Sequence, residues 1–176
     1  MNKKRKRKSA KPLPWAIGTK IIASDFNENW EWFENTNNQT AFNDRFRAIL
    51  SLLAKRREIL LNVKKRSPDG KVLMSEAARR RRAQGRSDGL VMDHAVPVKT
   101  ILQKLKDEHQ KGDLTGRKVG RILKRYLACV IITQEEDELL TKNGYRSTMP
   151  DDWDEVNVFA RYGECNIKVS RRRVRI

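Results

Sequence analysis

Leu90-Val91-Met92-Asp93-His94-Ala95-Val96, followed by Pro97, is the stretch on which the reading of this chain turns. It is short, mostly apolar and bounded by Gly89 and a proline, which predicts a strand over Leu90–Val96. Two polar residues interrupt it side by side, and one is a histidine, of which the chain has only 2. A second strand is predicted at Ala128–Ile132, an apolar run with three β-branched residues. Thr133 then offers an N-cap, with Glu136 three residues on in the capping-box arrangement, so a helix should run from Gln134 to about Lys142 and close at Asn143-Gly144. Between the two strands, Thr100–Gln110 and Val119–Tyr126 are amphipathic and predict two helices split by Gly112–Gly116.

Outward from this core the signals weaken. Ser75 is placed to cap a short helix through Ala77, Ala78, Arg79, Arg80, Arg81 and Arg82. Four consecutive arginines on a helix point in almost every direction, so some are solvated and available to phosphates. The 41–63 segment carries Phe42, Phe46, Ile49, Leu50 and Leu53 at helical spacing. Residues 15–40 are rich in aromatics, which fit a core or docking face and, as a rival, base stacking. Ser67-Pro68-Asp69-Gly70 is a turn, and the tail from Ser170 to Ile176 fits an edge strand.

The chain has 176 residues, enough for one domain with a core and a flexible arm. Lys+Arg is 39 and Asp+Glu is 22, a net charge of +17. A field of that sign draws polyanions, so the expected partner is nucleic acid; it names no chemistry. RNA binders, DNA binders and cationic nuclease toxins share this balance, and the last would have an acidic protein partner. Lys3, Lys4, Arg5, Lys6, Arg7 and Lys8 form a basic arm expected to be disordered when free, gripping phosphates or serving as a nuclear address. Arg171, Arg172 and Arg173 add a second cluster near the other end. Cys129 and Cys165 belong to no CxxC pair, so a zinc knuckle is not expected. No apolar run approaches membrane-spanning length and none follows the basic start, so neither a membrane span nor a secretory signal is expected, and a cytoplasmic setting in a bacterial or phage-infected cell is.

Asp93-His94-Ala95-Val96-Pro97, with a second strand and a helix after it, resembles the HNH or ββα-metal endonucleases. That resemblance implies an α+β fold with a ββα-metal-like catalytic core, here with a helical insertion, and metal-dependent hydrolysis of DNA more than RNA. By it, His94 is the general base and Asp93 a ligand of Mg²⁺ or Mn²⁺. Asp137 first, or Glu136 second, of the closing helix is the further ligand. Separately from the resemblance, Arg146 stands just after the Gly144 helix stop, where it is expected to contact the scissile phosphate. The implied organisation is a basic arm over 1–14, a helical nucleic-acid-binding region over 15–85 and a catalytic region over 86–176. Two other readings stand beside it. Asp-His pairs also occur as ordinary hydrogen-bonded boundary residues, and Glu135, Glu136, Asp137 and Glu138 fit a solvated face favoured by a helix N-terminus. The alternative function is a non-catalytic DNA- or RNA-binding subunit of a nucleoprotein assembly.

Overall fold

A computed structural model describes residues 14–35, 44, 46, 48, 71–170 and 174–175. The basic arm of Lys3–Lys8, the cluster Arg171–Arg173, the turn at 67–70 and nearly all of the 41–63 helix lie outside these residues. Asp44, Phe46 and Ala48 are described, and all three are helical.

The fold is α+β. The central strand β3 (Cys129–Thr133) is buried at every position, as expected of an uninterrupted apolar run covered on both faces. Strand β2 (Leu90–His94) pairs with it antiparallel, from Leu90 opposite Thr133 to His94 opposite Cys129. Strand β1 (Lys71–Met74) flanks β3 on its other side in parallel, with Leu73 opposite Val130. The two-residue β4 (Val174–Arg175) forms the far edge, antiparallel to β1, giving the order β2-β3-β1-β4. Val174–Arg175, the described part of the tail beyond Ser170, thus lie at a sheet edge, in keeping with the expected edge strand. β1 carries no strong signal in the sequence, because four residues after a turn leave little pattern to read.

Strand alternation sends successive side chains of β3 to opposite faces. Val130 and Ile132 face one layer, where they meet Ala95, Leu140, Tyr162, Cys165 and Ile167. Cys129 belongs to the other layer, with Ile22, Phe26, Ile101, Leu105, Val119 and Leu123. The first layer is built by α5 (Gln134–Lys142) and α6 (Ala160–Glu164); the second by α1 (Trp15–Asn35), α3 (Val98–His109) and α4 (Gly116–Tyr126). Helix α2 (Glu76–Ala83) follows β1 directly and seats Ala78 against Met74 and Ile131.

Local chemistry sets the ends of these helices. Ser75 caps α2, its Oγ accepting from the Ala78 N–H at 3.0 Å. Thr133 caps α5 in a complete capping box with Glu136. α3 begins directly after Pro97 at its N-cap position, so β2 stops at His94, two residues before the expected end. Helix α1 is 21 residues long and carries Thr19, Ile22, Ala23 and Phe26 on its buried face. Sequence reasoning assigned no helix there, since Ile17 and Ile21 sit on the opposite, exposed side and blur the apolar period. Asn27 fixes α1 from a distance: its side-chain amide donates to the Leu114 carbonyl at 3.0 Å and its side-chain oxygen accepts from the Leu114 N–H at 2.9 Å. The expected division at residue 85 separates elements that share one sheet, because β1 pairs with β3, and one core, because α1 packs with α3 and α4.

Candidate nucleic-acid interface

Asp93 and His94 are neighbours on β2, and strand alternation turns their side chains to opposite faces. Asp93 faces the α5–α6 layer. Its Oδ2 accepts from Arg161 Nη2 and from the Tyr162 hydroxyl, the latter at 2.5 Å. Arg161 is 1% exposed. Its remaining donors go to backbone carbonyls: Nε to Ala95 at 2.9 Å, Nη1 to Tyr145 at 2.7 Å and Nη2 also to His94 at 2.5 Å. A guanidinium so far from water needs a counter-charge and a partner for its N–H groups, and Asp93 with three carbonyls supplies both. Burial, and then the negative charge of Asp93, hold the Tyr162 hydroxyl well above its ordinary pKa, so it stays a donor.

This arrangement answers what Asp93 is for in the fold. It ties α6 to the end of β2, while Arg161 ties both to the segment after α5. The sequence does carry a signal for it. Arg161 sits in Val158-Phe159-Ala160-Arg161-Tyr162, the one basic residue of an apolar run, and such an arginine calls for a buried carboxylate.

Glu136, also expected to work with Asp93, has partners of its own. Glu136 Oε2 accepts from the Thr133 N–H at 2.9 Å and from the Ser75 hydroxyl at 2.5 Å, which bolts the start of α5 to the start of α2. Asp137 is half-buried one position on, and Arg146 is exposed beyond the end of α5. Among the described residues, no group of three or more His, Cys, Asp or Glu side chains is placed to hold a metal ion. With Asp93 neutralised by Arg161 and Glu136 held in its cap, the residues do not fit the divalent-cation site that the resemblance implies. His94 is half-buried at the end of β2. His109, the other histidine, is half-buried with its ring 6.2 Å from that of Phe26.

The arginines of α2 divide as their spacing requires. Arg81 pairs with Glu135 at 3.2 Å, and its guanidinium lies over Gly89, where a Cβ would come within 2.8 Å of Nη1. Gly89 also has φ +63, and it is this backbone conformation that favours glycine, since the end of the Arg81 side chain could move aside. Arg80 is exposed, with Glu76 at 3.9 Å, and Arg79 and Arg82 are half-buried. One of the four is therefore structural, while Arg80 is open to solvent.

No family model, curated protein or solved structure matches the chain.

The largest concentration of open positive charge among the described elements lies elsewhere, on α4. Its sequence Gly-Arg-Lys-Val-Gly-Arg-Ile-Leu-Lys-Arg-Tyr carries five basic and no acidic residues. Val119, Leu123 and Tyr126 are buried, which turns Arg117, Arg121, Lys124 and Arg125 outward. Lys118 is engaged with Glu108 at 3.7 Å, and Arg125 donates to the Glu155 carbonyl at 3.1 Å. Arg117 and Arg121 form no ion pair among the described residues. A groove of about 760 Å³ runs between α4 and α1, lined by Trp15, Lys20, Arg117, Arg121 and Lys124 over a floor of small residues. The floor is small because the helices touch there: a Cβ on Gly116 would lie 3.1 Å from the Lys20 side chain and 3.4 Å from its backbone nitrogen. Sequence reasoning marked Val119–Tyr126 only as a helix with an apolar face; the count of basic residues on the polar face of this segment and just before it was the available signal.

Among the described residues, no helix is long and apolar enough to cross a membrane.

Proposed function

We propose that this protein binds nucleic acid through the basic face shared by α1 and α4, as a binding module. The observation that carries this reading is α4, whose outward face presents Arg117, Arg121 and Lys124 beside an open groove with no acidic lining residue. Cations gathered on one face attract a phosphate backbone and gain by releasing its condensed counterions. The net charge of +17 supports the same partner by steering encounter from a distance. Acidic residues lie outside the groove lining: Glu108 pairs with Lys118 of α4 itself, and Glu135 with Arg81 on α2.

The test is binding of a labelled oligonucleotide by fluorescence anisotropy. Reversing charge at Arg117 and Arg121 together should lower affinity by tenfold or more, roughly 1.4 kcal/mol or above. The same reversal at Lys142 and Lys168, exposed residues away from α4, should cost clearly less. Equal losses from the two pairs would mean that binding is spread over the whole surface and that α4 has no special part.

A second reading is phosphodiester hydrolysis by an HNH-like nuclease with His94 as base. It draws support from chain order: β2 and β3 are antiparallel, and α5 follows β3 at once and packs Leu140 across the face they share. That is the ββα sequence of elements, opened by the insertion of α3 and α4 between the strands. The expected ligand set does not fit, so no step is assigned to a metal. Incubating plasmid DNA and RNA with the protein in Mg²⁺, in Mn²⁺ and in chelator tests this reading. Cation-dependent cleavage lost in His94→Ala would favour it, and no cleavage under any condition would leave the binding module.

A further inference from the structure

The shape of the α1–α4 groove says more about the partner than its charge does. Packed helices lie about 8–10 Å apart. Here Gly116 and Gly120 bring α1 close, so the groove is shallow-floored and bounded by two near helices. A duplex can only lie across its rim. A single strand can enter lengthwise, and a volume of about 760 Å³ accommodates a group of nucleotide size.

One wall is aromatic. Trp15 lines the groove, and its indole Nε1 stands 3.6 Å from the position a Cβ would take on Gly120. It is half-buried, resting in part on the core cluster and in part on the groove. The cations stand in a row. Arg117, Arg121 and Lys124 fall at i, i+4 and i+7 on α4, hence on one face, and Lys20 answers them from α1. A flat apolar ring beside a line of positive charge is the combination that holds unpaired bases by stacking and their backbone by charge.

We infer that this groove takes a single strand of nucleic acid, with a base against Trp15 and phosphates along Lys20, Arg117, Arg121 and Lys124. The inference rests on the proposed nucleic-acid reading and narrows it to unpaired strands, since a duplex keeps its base faces stacked on one another.

The experiment compares a labelled oligothymidine strand with a duplex of the same length, on the full chain. Trp15→Leu keeps apolar contact with the core and removes the ring; Trp15→Phe restores a smaller ring. Trp15→Leu should weaken single-strand binding roughly five- to hundredfold and leave duplex affinity near wild type. Trp15→Phe should recover much of the single-strand loss. A parallel thermal melt identifies any variant whose loss comes from unfolding; should Trp15→Leu prove unfolded, Trp15→Phe alone decides, since it should still bind the strand more weakly than wild type with the duplex unchanged. Equal loss on both substrates, or no loss on either, overturns the inference. If Arg117→Glu with Arg121→Glu still weakens binding in that case, the broader reading stands without it. If wild type binds neither substrate, the nucleic-acid reading itself fails.

Discussion

Asp93→Ala separates a structural from a metal-binding role for the residue most prominent in the sequence. The substitution leaves the Arg161 guanidinium, 1% exposed, with its carbonyl partners but no counter-charge. It also leaves the Tyr162 hydroxyl, buried and held protonated, without its acceptor. Breaking one side of a buried ion pair costs about 3–5 kcal/mol. For a chain of this size each kcal/mol moves the melting midpoint by roughly 2–4 °C. The expected loss is therefore roughly 6–20 °C, read by circular dichroism or differential scanning calorimetry. The double variant Asp93→Ala with Arg161→Met removes both charges and should recover part of that loss, because an apolar side chain tolerates the site that an unpaired cation does not. Asp93→Ala melting with wild type would refute the reasoning, and so would a double variant that loses the sum of the single losses.

Three further outcomes follow from the same geometry. Tyr162 has a folded pKa raised above its ordinary 10.0, so the unfolded chain sheds this proton first and stability should fall as pH rises above about 10; Tyr162→Phe should flatten that fall in alkaline melts, and an unchanged profile would place the effect on other groups. Thr133→Ala removes the hydroxyl that accepts from the Glu136 N–H at 3.3 Å and should cost ~1 kcal/mol in denaturant titrations, whereas no loss would mean the capping box does not hold α5. Gly120→Ala would place its Cβ at an ordinary 3.6 Å from Trp15 and should gain up to about 1 kcal/mol of helix propensity, while Gly116→Ala, pressed at 3.1 Å on Lys20, should gain less or lose; the reverse ranking would contradict the close approach of α1 and α4.

The elements of the second half were legible because each carries a local signal. The capping box at Thr133 and Glu136, the apolar run of β3 and the periodicity of α3 and α4 all depend on residues close in sequence. Helix α1 escaped because its burial is set by partners far along the chain, such as Leu114 on Asn27. The Asp93-His94 motif was visible, but its environment was not: Arg161 and Tyr162 lie 68 and 69 positions away from Asp93. A carboxylate that is free to bind a cation and one that is spent on a buried arginine look alike in a sequence. The groove escaped for a related reason, since its two walls are helices α1 and α4, and only the fold brings Trp15 beside Gly120.

The salt dependence of affinity tests the central claim most directly. Each phosphate neutralised on duplex DNA contributes about 0.9, and on a single strand about 0.7, to the slope of log K against log salt. Replacing Arg117 and Arg121 together by alanine should therefore flatten the single-strand slope by about 1.4, with affinity reduced at low salt. An unchanged slope and affinity in that double variant would contradict the account, because the α4 face would then touch no phosphate.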